Sequence, residues 1–201
     1  MELIDHAGYE VRQATFADIP ELIRMQMALQ RDMDGIRCNM LRPNRTNITG
    51  LREYYRSRIE DERTQLLVAL AAESSKAVGM CAGQVWLHAD YLPAKSGELI
   101  DLWVDPEHRG KSLARRIIAQ LLRFFRVNGI DFLVVSYVEG NQVGEALWKR
   151  LGFEPVLITA AANRERVERA LGMPVRQAVP RAYRTLLAGT SSVHMTSAPA
   201  V

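Results

Sequence analysis

The hydrophobic pattern of the first ninety residues predicts two helices between strands. Residues 9–14 alternate as in a strand, and residues 15–18 lead into a helix that has Pro20 in its first turn. The apolar positions of this helix are Leu22, Ile23, Met25 and Leu29. The other elements predicted in this half are one helix at about residues 47–63 and two antiparallel strands at residues 65–72 and 77–88.

The next part of the chain predicts a strand, a helix and a second, parallel strand. Residues 99–104 form a buried apolar run, and the helix that follows ends at Asn128-Gly129. The apolar positions of this helix recur at helical spacing: Leu113, Ile117, Ile118, Leu121, Leu122 and Phe125. Residues 131–138 are β-branched and aromatic, so we expect a mostly buried strand there.

Beyond this unit, the pattern predicts two more helices and two more strands. A short helix begins after Asn141 and ends near Leu151. The later elements are expected as a strand at residues 156–159, a helix at 163–171 and a strand at 175–187. The last residues are rich in Ser, Thr and Ala, which is typical of a flexible tail.

The composition is that of one globular domain. The 201 residues are 48% hydrophobic and carry a net charge of +3, with acidic and basic residues interspersed. We therefore expect a single domain over residues 1–188, a tail over residues 189–201 and no nucleic-acid partner. Cys38 and Cys81 do not have the spacing of a metal site, so no metal is expected. The sequence shows no leader pattern and no long apolar run, which predicts a cytoplasmic protein without a membrane segment.

The junction after residues 99–104 is the strongest functional signal in the sequence. Arg109-Gly110-Lys111-Ser112-Leu113-Ala114 is a loop of mostly small residues that opens directly into a helix. The first turn of a helix carries backbone N–H groups without partners and the positive end of the helix dipole. Since small residues let a phosphate approach those groups closely, the sequence predicts an anion site here. An ordinary strand-to-helix connection that binds nothing is the alternative.

Residues 98–153 resemble the GNAT superfamily of acyl-CoA N-acyltransferases. That family carries the motif Arg/Gln-x-x-Gly-x-Gly/Ala at this junction, where Arg109 and Ala114 fit and Ser112 replaces the usual Gly. The order of strand, pyrophosphate helix, strand, Asn-led helix and Leu151-Gly152-Phe153 also recurs in the family. The resemblance implies an α/β fold with a GNAT-type mixed central sheet, flanked by helices, that splays open between strands 99–104 and 132–138.

The same resemblance implies that acetyl-CoA enters this gap as the acyl donor. Its pantetheine arm is expected to pair with the backbone of Leu102, Trp103 and Val104, where an N–H polarises the thioester carbonyl. Its pyrophosphate is expected at the loop formed by Arg109, Gly110, Lys111, Ser112, Leu113 and Ala114. The helix led by Asn141 completes the cofactor site. Trp148 on that helix stands where many relatives have a Tyr that protonates the leaving thiolate.

Two acidic residues are candidates for the base that an amine acceptor requires. A protonated amine is not a nucleophile, so a side chain must take its proton. Glu98 lies six residues before Val104, where many relatives have an acidic base, and Asp101 lies three residues before it. Strict alternation places Glu98 on the face of Leu102 and Val104, and Asp101 on the opposite face, unless a bulge intervenes. A solvated or paired structural acid is the alternative for each.

The residue that protonates the thiolate is open in the sequence. The indole of Trp148 cannot titrate, and Tyr137 on the following strand is the nearest substitute. A simple core position is the alternative for Tyr137.

The sequence predicts an acetyl-CoA-dependent N-acetyltransferase and leaves its acceptor open. Residues 32–63, where relatives vary their acceptor pockets, mix acids with arginines. An amino-acid-like or aminoglycoside-like molecule and a protein amino group therefore all fit, and a homodimer is one possible assembly. A non-catalytic acyl-CoA-binding regulatory protein on the same fold is the main alternative, because Ser112 and Trp148 depart from the family pattern. Nucleic-acid binding through the arginines of residues 164–176 is a poorer alternative, since Glu165 and Glu168 interrupt them.

Overall fold

The computed structural model of the chain describes residues 8–34, 36, 48–90 and 92–173. Contacts divide the chain into two compact units, Met1–Val156 and Leu157–Val201. The described part of the first unit contains a five-stranded sheet and four α-helices, and that of the second contains one short α-helix. The predicted boundary between domain and tail lies outside the described residues, so a single domain over residues 1–188 stays a prediction.

The sheet is mixed, with its strands in the order β1-β2-β3-β4-β5. Its strands are β1 (Tyr9–Gln13), β2 (Thr64–Ala71), β3 (Ala77–Leu87), β4 (Lys95–Val104) and β5 (Leu133–Val135). Neighbouring strands are antiparallel except β4 and β5, which are parallel. The α-helices are α1 (Ile19–Asp34), α2 (Ile48–Glu60), α3 (Leu113–Val127), α4 (Gln142–Arg150) and α5 (Arg164–Ala170). These elements confirm the predicted order of strands and helices as far as α4, and they confirm the later helix.

An ion pair forms the corner between β1 and α1. The carboxylate of Asp18 accepts hydrogen bonds at 2.8 Å from both terminal nitrogens of Arg12, and further bonds from the N–H and hydroxyl of Thr15. The Arg12 hydrogen bond, helped by those from Thr15, lowers the pKa of Asp18 from 3.8 to about 2 despite its burial. Asp18 thus fixes the start of the helical layer that α1 and α2 form.

Helix α3 fills one face of the sheet with apolar side chains. Its buried residues are Leu113, Ile117, Ile118, Leu121 and Phe125. The ring of Phe125 lies directly over Gly83 of β3 and Gly97 of β4, where an added Cβ would come within 2.9 and 2.6 Å of it. The two glycines therefore allow this ring to pack against the sheet itself.

Helices α1 and α2 cover the opposite face. Their fully buried Leu22, Met25 and Tyr55 pack with Met80 of β3 and Trp103 of β4. We name the two sides of the sheet the α3 face and the α1/α2 face. Each face has its own apolar cluster, which is why β2 and β3 are buried on both sides and their sequences are almost continuously apolar.

Two strand predictions differ from the structure. β5 has only three residues, because β4 is irregular beyond the point where the two strands pair. The strand predicted at residues 156–159 is wrong: no strand forms there within the described chain, and Val156, Leu157 and Ile158 are almost fully exposed. Apolar β-branched residues favour a strand only where another strand pairs with their backbone. The strand predicted at residues 175–187 lies outside the described residues.

Candidate active site

A β-bulge interrupts β4 near its C-terminal end. Ile100 pairs with Ala82 and Trp103 pairs with Met80, so two residues of β4, Asp101 and Leu102, stand opposite one residue of β3. Asp101 has a φ of 54°, in the left-handed region that residues other than Gly seldom occupy. Such a conformation costs about 1–3 kcal/mol and persists only where the surrounding structure holds it.

The bulge changes which side chains share a face of β4. Ile100 and Trp103 pack on the α1/α2 face, whereas Leu99, Leu102 and Val104 pack on the α3 face. The face predicted for Asp101 by strict alternation, shared with Leu99, is therefore wrong, because the extra residue shifts the alternation by one position. Asp101 makes its hydrogen bonds with side chains of α1 and α2. The bulge thus brings both candidate carboxylates, Glu98 and Asp101, to the α1/α2 face.

Glu98 is held by one contact and keeps an oxygen free. The indole Nε1 of Trp86 on β3 donates a 2.8 Å hydrogen bond to its Oε2. Within the described residues, Oε1 of Glu98 makes no hydrogen bond. Gln84 stands opposite Glu98 in the β3–β4 pairing, and its own Oε1 is buried without a partner there. Glu98 is therefore a carboxylate in a fixed orientation that can still accept a proton.

Asp101, by contrast, has both oxygens engaged. Tyr54 Oη of α2 donates to Oδ2 at 3.0 Å, and Gln26 Nε2 of α1 donates to Oδ1 at 3.3 Å. Tyr55 Oη donates in turn to Gln26 Oε1 at 3.2 Å. Burial, reinforced by the charge of Asp101, raises the pKa of Tyr54 and of Tyr55 well above the usual value for a phenol. Both tyrosines therefore remain protonated donors.

The sheet opens between β4 and β5 where the sequence predicts a gap. The two strands pair only from Gly97↔Leu133 to Leu99↔Val135, and β5 then ends. β4 continues alone on this side to Val104, so the backbone of residues 100–104 forms one wall of the gap. This wall contains the three residues, Leu102, Trp103 and Val104, that were predicted to pair with a pantetheine arm.

The loop before α3 has the backbone geometry of an anion site. Gly110 has a φ of 76°, and an added Cβ there would meet no atom within 4 Å, so its backbone is open to a ligand. Ser112, at the N-cap of α3, has a φ of 61° and makes no side-chain capping bond. In the described part of the chain, the amides of residues 110–115 donate to no other group, and they lie at the positive end of α3. These residues fit a pyrophosphate, and Lys111 and Arg115 beside them are exposed cations.

The guanidinium of Arg109 is engaged within the protein. It donates to Asp32 of α1 at 2.5 Å and to the carbonyl of Val104 at 2.9 Å. Asp32 also accepts from the indole of Trp103 at 3.2 Å. Arg109 thus connects the loop to the end of β4 and to α1, which favours a role in shaping the loop.

The structure separates the remaining predicted residues. Asn141 caps α4 by accepting from the Gly144 N–H at 3.0 Å. Trp148 is 5% exposed and packs edge-on against Phe153 in the cluster on the α3 face, so its indole is a core group. Tyr137 lies two residues beyond the end of β5 and is partly exposed. Cofactor contact by Trp148 and acid catalysis by Tyr137 stay predictions.

A cavity of about 480 Å³ lies at the other edge of the sheet. Its lining includes Tyr9, Glu73, His108 and Lys111. His108 Nδ1 and Tyr9 Oη are hydrogen-bonded at 2.8 Å. Of the described residues that line this cavity, Lys111 is the one that belongs to the loop of residues 109–114.

Sequence reasoning missed three residues of the site: Trp86, Gln26 and Tyr54. Each lies on a neighbouring element and contacts a predicted carboxylate across 12, 75 and 47 residues of chain respectively. The spacing of apolar residues around them predicts helices and strands. It does not show which polar side chains form hydrogen bonds with each other.

Two features bear on the other functions considered. No helix in the described ranges is long and apolar enough to cross a membrane. On α5, Arg164 pairs with Glu168, and Arg169 donates to the carbonyl of Glu165, as expected for a solvated helix with internal ion pairs. Arg176, the other arginine considered for nucleic acid, lies outside the described residues.

Comparison with known proteins places this architecture among acetyltransferases. The model of the Acetyltransferase (GNAT) family matches residues 37–153. A mycothiol acetyltransferase of Beutenbergia cavernae is 36% identical over 83 residues, which are 41% of this chain and 27% of that protein. The match therefore spans about a quarter of that relative's length.

Solved structures share the fold. A predicted acetyltransferase of Clostridium acetobutylicum, crystallised with acetyl-CoA, has a TM-score of 0.63 at 16% identity, over 77% of this chain and 96% of its own. A GCN5-related N-acetyltransferase of Ralstonia eutropha has a TM-score of 0.62 at 20% identity, over 78% of this chain and 99% of its own. At such identities the likeness shows the fold alone, and it confirms the predicted mixed sheet flanked by helices.

Proposed function

Because the chain belongs to the Acetyltransferase (GNAT) family, we propose that it transfers an acetyl group from acetyl-CoA to the nitrogen of an amine. The observation that carries this proposal is the β4–β5 gap, which has the anion loop at one end and Glu98 with a free oxygen near the other. No other part of the described chain combines an anion site, an unpaired backbone edge and an available base.

The cosubstrate site is formed mainly by backbone. The amides of residues 110–115 would hold the pyrophosphate, and Lys111 would add positive charge. Acetyl-CoA supplies the activated thioester, and the backbone N–H groups of residues 102–104 would stabilise the charge that develops on its carbonyl oxygen. Arg109 supports both parts, since it ties the loop to Val104.

Glu98 is the proposed base. An amine of pKa near ~10 is mostly protonated at neutral pH and must lose a proton before it attacks. Glu98 Oε1 is free to accept that proton, directly or through a water molecule, while Trp86 fixes the other oxygen. Tyr137 is the proposed donor to the thiolate, because the indole of Trp148 is buried and cannot titrate. Because a thiol has a pKa near ~8.5, its thiolate is a tolerable leaving group even without a proton donor.

A screen of amines tests the activity. The full chain is mixed with acetyl-CoA and a panel of amino acids, aminoglycosides and lysine-containing peptides, and free thiol is followed. We expect thiol release that depends on one class of amine, with acetylated product of the corresponding mass. Tight acetyl-CoA binding in calorimetry without turnover on any amine would instead support the acyl-CoA-binding regulatory protein.

Replacement of Glu98 tests the base. Glu98→Gln should lower turnover by ~10²-fold or more and remove the acidic limb of the pH–rate profile, with acetyl-CoA affinity unchanged. Glu62→Gln is the matched control, because Glu62 is exposed in the turn before β2, and β2 does not border the gap. Glu98→Gln with wild-type turnover would remove Glu98 from the mechanism.

The cytoplasmic location and the homodimer stay predictions of the sequence.

A further inference from the structure

The bulge of β4 is held from outside the sheet. The left-handed conformation of Asp101 has no support from the β3–β4 ladder, in which neither Asp101 nor Leu102 has a partner. The side chain of Asp101 is instead bound by Tyr54 of α2 and Gln26 of α1. Helices α1 and α2, which lie far from β4 in the sequence, thus both contact the residue at which β4 is irregular.

These contacts form a directed chain of hydrogen bonds. Tyr55 Oη donates to Gln26 Oε1, which orients the amide so that its Nε2 donates to Asp101. Tyr54 donates to the other oxygen of Asp101, and the guanidinium of Arg58 lies 4.5 Å from the centre of the Tyr54 ring. Of the two tyrosines, only Tyr54 contacts Asp101 directly. Its hydrogen bond to Asp101, at 3.0 Å, is shorter than that of Gln26, at 3.3 Å.

The position of the bulge connects this network with catalysis. The peptide groups directly after Asp101 belong to residues 102–104, which form the wall of the gap and are the oxyanion donors of the proposed function. A change in the backbone at Asp101 rotates those peptide groups, because the side chains on either side of the bulge remain fixed in the two apolar clusters.

We propose that Tyr54 is a positioning residue for acetyl transfer: its hydrogen bond to Asp101 holds the bulge that aims the backbone of residues 102–104 at the thioester. In this role Asp101 is an anchor, and it is not a second base beside Glu98. This inference rests on the proposed function.

Four variants test whether Asp101 holds the backbone of the bulge or acts as a second base. Tyr54→Phe removes the direct hydrogen bond, and Tyr55→Phe is its matched control, since it deletes a buried hydroxyl from the neighbouring residue. Asp101→Asn keeps an oxygen for Tyr54 and tolerates a left-handed backbone, but it removes the charge. Asp101→Ala removes both the acceptor and the charge.

We expect Tyr54→Phe and Asp101→Ala each to lower kcat by ~10-fold or more, because small misplacements of donors are costly in the transition state. The KM for acetyl-CoA and the acidic limb of the pH–rate profile should not change, because Glu98 and the anion loop are intact. Tyr55→Phe should lose less kcat than Tyr54→Phe, and Asp101→Asn should lose less than Asp101→Ala, since each keeps the bond between residue 54 and residue 101. The double variant Tyr54→Phe/Asp101→Ala should be no worse than Asp101→Ala alone, because the acceptor of the Tyr54 bond is already missing in that variant.

Loss of kcat in Asp101→Asn comparable to that in Glu98→Gln would show that the charge of Asp101 is required and would overturn the proposal. Wild-type kcat in Tyr54→Phe would overturn it as well.

Hydrogen exchange tests the anchor without turnover. Amides of residues 101–104 should exchange faster in Tyr54→Phe than in Tyr55→Phe, when both variants have the same melting temperature. If the wild type acetylates no amine, the proposed function fails while this measurement still decides whether Tyr54 holds the bulge. Equal exchange in the two variants would mean that it does not.

Discussion

The two faces of the central sheet are formed by the same strands but differ in the side chains that they hold. On the α3 face, apolar side chains pack down to Phe125, whose ring rests on two glycines. On the α1/α2 face, the apolar cluster around Met80 and Trp103 adjoins Glu98, Asp101, Tyr54 and Gln26. We infer that the first face mainly stabilises the fold, whereas the second holds the proposed base, Glu98, and the side chains around it. Substitutions on the two faces should therefore separate stability from turnover.

The largest effect is expected on the α3 face. Phe125→Ala should lower the free energy of unfolding by about 3–5 kcal/mol, because it leaves a cavity over Gly83 and Gly97 that the sheet cannot fill. Urea denaturation measures this loss. Leu122→Ala, at a position of the same helix that is 40% exposed, should cost about 1 kcal/mol or less.

Turnover per folded molecule should stay close to wild type in both variants. A fall of kcat in Phe125→Ala as deep as that of Glu98→Gln would break the division between the faces.

A smaller effect is expected from the paired acid at the start of α1. The pKa of Asp18 is about 2 in the folded protein and near 3.8 when unfolded, so the folded state favours the ionised carboxylate. Its contribution, at most about 2 kcal/mol, is present above pH 4 and is lost as the pH falls through about 2.

The measurement is the free energy of unfolding of the wild type and of Asp18→Asn between pH 7 and pH 2. The difference between the two proteins should shrink as the pH falls, and turnover at neutral pH should be similar in both. A difference that is constant with pH would mean that the Arg12 pair does not stabilise the fold.

The smallest effect is expected at the anion loop. Ser112→Gly should raise the free energy of unfolding by about 1 kcal/mol or less, because relief of the left-handed strain exceeds the extra entropy of Gly only slightly. Thermal unfolding measures the change, and calorimetry should show acetyl-CoA affinity within ~3-fold of the wild type. A large loss of affinity would assign the Ser112 hydroxyl itself to the phosphate.

The sequence predicts features that depend on neighbouring residues. The spacing around Leu113 and Phe125, the stop at Asn128-Gly129 and the cap at Asn141 are local, and each matches the structure. The anion loop is predicted for the same reason, and the binding of a phosphate there stays a prediction.

Features that depend on distant pairing were not predictable. The bulge at Asp101 exists because of the register between β3 and β4, and the contact with Tyr54 joins residues that are 47 positions apart. Trp148 could be predicted as a departure from a family pattern, but its burial against Phe153 in the apolar cluster of the α3 face depends on tertiary packing. The strand expected at residues 156–159 failed because β-propensity alone does not supply a pairing partner.

The bulge also affects how this chain must be aligned with other sequences. Glu98 and Val104 are six positions apart, and in a regular strand they would share a face. The extra residue of the bulge places them on opposite faces instead. A relative without the extra residue would keep the same geometry with its carboxylate five positions before the equivalent of Val104, instead of six. An ungapped alignment of the two would then match the carboxylate of one protein with an apolar residue of the α3 face in the other, and a carboxylate that is present would be scored as missing.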